Sequence, residues 1–77
     1  MITNKLRELF TSIQIQTAEN LIAESGYPDL PEYSEGINRE LCMTWRDGNL
    51  KVIWEVHREG RVSTWVLDPS RQKYEGE

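Results

Sequence analysis

Between Ile37 and Leu67 apolar residues recur at every second position, and two glycine-bearing dipeptides, Asp47-Gly48 and Glu59-Gly60, cut this stretch into three. Strict alternation is the mark of a strand with one buried face. Ile37, Leu41, Met43 and Trp45 fall at odd positions before the first dipeptide, and Leu50, Val52, Trp54 and Val56 at even positions after it. Asp-Gly tolerates the positive φ that a two-residue hairpin turn requires. Glu59-Gly60 offers a second reversal before a third strand, Val62 to Leu67.

Closing each turn on its dipeptide sets a register. Trp45 then faces Leu50, Met43 faces Val52 and Leu41 faces Trp54, while Val52 faces Leu67, Trp54 faces Trp65 and Val56 faces Ser63. The predicted core face is Leu41, Met43, Trp45, Leu50, Val52, Trp54, Val56, Trp65 and Leu67. Its reverse carries Cys42, Ile53 and Val66 in one row, then Glu40, Glu55 and Thr64, then Asn38, His57 and Val62. Register carries the whole assignment, because a slip of one residue moves every side chain of a strand to the other face.

Ahead of the strands, Thr3 or Asn4 can cap a helix whose apolar stripe is Ile2, Leu6, Leu9, Phe10 and Ile13. Ile15, Ala18 and Ile22 drift off that stripe. The unit is therefore expected to bend or break near Ser12 to Thr17, or to restart with Thr17 as a cap. A short strand over Thr11 to Thr17 is the other option. Gly26 and Pro28 end the unit at Ser25. The expected fold is α+β, a single domain over 1–77 with the helical unit packed on a three-stranded antiparallel meander. Residues 27–36 form an acidic Pro/Tyr loop, and 70–77 a frayed polar tail.

Leu, Ile, Val and Phe are 18 of the 77 residues, little above the roughly one-fifth below which disorder becomes the default. Three tryptophans favour folding, but a core this small gains from assembly with a partner or a second copy. The lone cysteine, Cys42, excludes an internal disulfide and fits a reducing, cytoplasmic setting. Neither a signal peptide nor a membrane span is expected. A net charge of −4 argues against a phosphate-backbone ligand.

No nucleophile elbow, phosphate loop or zinc-binding helix motif occurs, so a non-enzymatic module without a cofactor is expected. Cys42 could in principle be a nucleophile, but on the predicted register it neighbours Ile53 and stands two rows from His57, too far for a base. Arg46, Lys51, Arg58 and Arg61 cluster at the turns beside Asp47 and Glu59, a mixed-sign pattern unlike the basic stripe of a nucleic-acid binder.

Two features point to a protein partner. The third strand would be an unguarded sheet edge beside a half-apolar reverse face, which nominates Cys42, Ile53, Val62, Thr64 and Val66. Residues 27 to 40 carry Asp29, Glu32, Glu35 and Glu40 against Arg39 alone. Tyr27, Asp29, Leu30, Glu32, Tyr33 and Glu35 make that loop a docking surface for a basic protein. The expected function is thus a small acidic adaptor, inhibitor or accessory subunit, homodimeric, that works by binding another protein. The alternative is a metal- or small-ligand site on Glu40, Glu55 and His57, with Asn38 beside them.

Overall fold

A computed structural model of the chain describes residues 3–68 and 73–75. Two helices, α1 (Asn4–Leu9) and α2 (Ser12–Ser25), precede five strands: β1 (Glu32–Glu35), β2 (Leu41–Asp47), β3 (Leu50–Val56), β4 (Val62–Asp68) and β5 (Lys73–Glu75). The strands form one antiparallel sheet in chain order, β1-β2-β3-β4-β5. The class is α+β with a broken helical unit on a meander, as the periodicity predicts. Two strands are added to the expected three. β1 lies inside the stretch expected to be a loop, and β5 inside the stretch expected to fray; the remainder of 70–77 lies outside the described residues.

The helical unit breaks two residues ahead of the expected Ser12 to Thr17 stretch, at Phe10, whose extended backbone ends α1. Thr11 caps α2 with a reciprocal pair: its hydroxyl accepts from the Gln14 N–H at 3.2 Å, and the Gln14 side-chain oxygen accepts from the Thr11 N–H at 2.9 Å. The break lets both apolar stripes reach the sheet. Phe10, Ile15 and Ala18 enter the core with Leu41, Met43, Trp45, Val52 and Val56, while Leu9 and Ile13, expected on the first stripe, stay exposed. Gly26, in the left-handed conformation at φ 78°, ends α2.

Gln14 is the polar centre of this core. Its side chain is fully buried, and its amide nitrogen donates to the carbonyls of Arg39 at 2.9 Å and Val56 at 3.0 Å. One amide thereby joins the start of α2, the β1–β2 turn and the end of β3, with donors and acceptor all satisfied.

Both hairpins depart from the predicted register, by different amounts. The first turn is Gly48-Asn49, because Asp47 pairs with Leu50. That moves the pairing by two residues and keeps every side chain on its predicted face: Trp45 meets Val52, Met43 meets Trp54 and Leu41 meets Val56. The second loop has three residues, since His57 and Arg61 still bond and Gly60, at φ 99°, carries the left-handed bulge that such loops use. Its odd length turns β4 over. Val56 pairs with Val62, Trp54 with Thr64, Val52 with Val66 and Ile53 with Trp65.

Trp65 and Leu67 are therefore not core-face residues, and Val62, Thr64 and Val66 do not belong to the reverse face. Val66 packs on the core, where the T-shaped contact of Trp54 is with Trp45 at 5.0 Å and not with Trp65. Ile37, expected to be buried, is fully exposed at the β1–β2 turn. Both helices pack on the Met43 side, and the Cα trace is only 18 Å deep along its shortest axis. Among the described residues no second layer lies on the reverse of the sheet. No helix among them is long and apolar enough to cross a membrane.

Candidate functional site

The acidic loop is fixed to the sheet by Trp45. Its indole N–H donates to the Asp29 carbonyl at 3.0 Å, and the Tyr27 ring stacks on it with centroids 5.3 Å apart. A buried tryptophan needs a partner for its single donor, and this one takes it from the loop backbone. Tyr27, Pro28, Asp29, Leu30 and Glu32 then form one wall of a hollow of about 340 Å³. Thr44, Trp45, Arg46, Asp47 and Gly48 form the other. Three carboxylates, those of Asp29, Glu32 and Asp47, stand around it against one guanidinium, Arg46. Leu30 is 60% exposed at the rim.

Four of the six loop residues proposed from sequence meet here. The other two do not. Tyr33 turns inward beneath α2; its hydroxyl is buried with no partner among the described residues, and burial, then the nearby Glu19 carboxylate, pushes its pKa up. Glu35 sits at the far end of β1, paired with Leu41. Sequence reasoning missed Trp45, Arg46 and Asp47, although the unpaired indole N–H of a buried tryptophan was the available signal.

On the reverse face Cys42 stands opposite Glu55, and Glu40 is drawn to His57 rather than across from Glu55 as the predicted register had it. The Cys42 thiol lies 3.8 Å from the Glu55 carboxylate. Desolvation, then the charges of Glu55 and Glu40, push its pKa up to about 11. A thiol so held is almost wholly protonated near neutral pH, the opposite of what a nucleophile requires.

His57 Nε2 lies 3.0 Å from the Ser63 hydroxyl and 3.3 Å from the Arg61 guanidinium. Arg61 can only donate, so Nε2 accepts and the ring proton sits on Nδ1, facing Glu40 Oε2 at 3.9 Å. Serine, histidine and carboxylate thus occur in the order of a hydrolytic triad. The geometry falls short, because 3.9 Å exceeds hydrogen-bond length and Arg61 competes with Ser63 for the same nitrogen. Among the described residues no three His, Cys, Asp or Glu side chains stand close enough together to share a metal ion.

The edge argument changes with β5, which pairs with Val66 to Asp68 and leaves only the first half of β4 without a described neighbour on that side. Of the reverse-face residues nominated, Ile53 holds its place. Cys42 is there but buried, and Val62, Thr64 and Val66 are on the other side. Trp65 and Leu67 take their positions. Compared with protein-family models, with curated proteins and with solved structures, the chain matches none.

Proposed function

We propose that this chain is a non-enzymatic binding module, an adaptor, inhibitor or accessory subunit, that docks a basic segment of a partner protein in the hollow beside Trp45. The observation that carries this reading is the coincidence, at one rim, of an exposed Leu30, a stacked Tyr27–Trp45 pair and three carboxylates. Such a site suits a lysine or arginine flanked by an apolar residue. The carboxylates attract the cation and speed encounter, while Leu30 and the Tyr27 ring hold the aliphatic part. The Trp45 hydrogen bond and the two prolines pre-stiffen the loop, so little ordering entropy opposes binding.

The test is a photo-crosslinking side chain at position 30, used to capture proteins from the native host, with the same probe at the exposed Gln16 on α2 as control. Capture of a basic protein from position 30 alone, lost when Asp29 and Glu32 are both replaced by lysine, is the expected result. Equal capture from both positions, or none from position 30 by folded protein, would refute the proposal.

A further inference from the structure

The reverse face of the sheet has a charge order that is complementary to itself. Register groups its side chains into rows across the strands. One end row holds Arg46, Lys51 and Leu67; the middle row holds Thr44, Ile53 and Trp65; the next holds Cys42, Glu55 and Ser63, with Glu40 beyond it. On β2 and β3 the face therefore runs from basic through apolar to acidic along the strands, with Glu32 beside Thr44 at the β1 edge of the middle row and His57 and Arg61 level with Glu40. Ile53, Trp65 and Leu67 all remain partly open to solvent.

We propose that a second copy of this chain covers this face, related to the first by a two-fold axis that lies in the sheet plane and crosses the strands along the Ile53–Trp65 row. Of the two-fold axes that lie in the sheet plane, two align the strands of both copies. An axis parallel to the strands would set Lys51 over the basic row and Glu55 over the acidic row of the partner, which repels at both ends. An axis across the strands reverses their direction and sets each β3 over the other. Lys51 and Glu55 lie two residues to either side of Ile53 on that strand, about 6.6 Å each way. The axis therefore brings Lys51 of each copy over Glu55 of the other, with Ile53 on Ile53 and Trp65 on Trp65, and leaves Glu32 facing Glu32 only at the exposed β1 edge.

The size of the face agrees with this occupant. Strands about 4.8 Å apart, of four, seven, seven, seven and three residues at about 3.3 Å rise, present roughly 450 Å² per copy, so the pair buries on the order of 900 Å². That is just under the roughly 1,000 Å² of a small specific interface, where two symmetric ion pairs beside an apolar strip decide orientation more than affinity. The surface meets the Leu30 hollow only at Glu32, Thr44 and Arg46, and the dimer would carry its two hollows at opposite ends.

Sedimentation equilibrium up to about 0.5 mM protein tests it, a range in which even a weak interface is populated. The wild type is expected to dimerise, Lys51→Glu and Glu55→Lys each to weaken association at least about tenfold, and the double variant Lys51→Glu/Glu55→Lys to restore it. Circular dichroism confirms that each variant is folded. A monomeric wild type, single variants that associate as well as wild type, or a folded double variant no better than the singles would overturn the proposal. Those outcomes leave the reading of the Leu30 hollow standing, because its crosslinking result does not depend on dimerisation.

Discussion

Val52 and Ile53 are neighbours on β3, yet they serve faces built to opposite requirements. Val52 belongs to a face sealed by Phe10, Ile15 and Ala18, in which a buried polar group is tolerated only when bonded as Gln14 is. Ile53 belongs to a face that keeps Trp65, Lys51 and Glu55 side by side, partly open to solvent. On the covered face apolar area stabilises the fold. On the bare face the same kind of area is left over for association.

The sharpest way to break this contrast is at Gln14. Gln14→Ala strips partners from the Thr11 N–H and the Arg39 and Val56 carbonyls together, and should cost about 3 kcal/mol in urea unfolding, whereas Gln16→Ala, one turn-face away and exposed, should cost less than about 0.5 kcal/mol. Next in size is the neighbouring pair itself. Val52→Ala should destabilise by about 2 kcal/mol, and Ile53→Ala by less than about 1 kcal/mol when measured at a concentration too dilute for association. Equal losses would mean that the two faces are equally buried.

Cys42 sharpens the comparison through pH. Its folded pKa is raised to about 11 from the ordinary 9.0, so folding favours the protonated thiol. Its contribution to stability is complete below pH 9 and declines as pH rises towards 11, where the folded thiol ionises as well. Alkylation of the native protein at pH 8 should be roughly 100-fold slower than that of an unfolded thiol, and Cys42→Ala should lose the part of the alkaline decline that begins near pH 9, leaving that of Tyr33 above pH 10. The smallest effect is expected at Tyr33. Removing its unpartnered buried hydroxyl in Tyr33→Phe should leave stability unchanged or raise it by up to about 1 kcal/mol in the same urea titration.

The alternation of β2 and β3 was legible because their faces survive a shift of two residues, so Leu41, Met43, Trp45, Val52, Trp54 and Val56 are where periodicity puts them. β4 was not legible in the same way. Val62, Trp65, Val66 and Leu67 supply apolar residues of both parities, and only the loop length, two residues or three, chooses between them. Gly60 suits either a two-residue turn or the left-handed bulge of a longer loop, and the dipeptide Glu59-Gly60 does not distinguish the two. β1 was hidden for another reason. Glu-Tyr-Ser-Glu holds a single apolar contact, Tyr33, and becomes a strand through its pairing with β2 rather than through its own pattern.

The helix break was visible as a conflict of stripes but placed too late, since Thr11 and Gln14 already spell a capping box ahead of Thr17. As for the candidate site, Tyr27, Asp29, Leu30 and Glu32 could be named from composition alone. Their convergence on Trp45 is a long-range contact that no local pattern encodes.

The central claim is that the three-residue loop at Arg58–Gly60 turns β4 over and brings Trp65 out beside Ile53. Nuclear Overhauser contacts of the Trp65 indole read it directly. Contacts to the Ile53 methyl groups, with none to the Trp54 ring, are the predicted result. Trp65-to-Trp54 contacts would put Trp65 back in the core, leave Val66 on the reverse face, and contradict both the two-faced sheet and the dimer built on it.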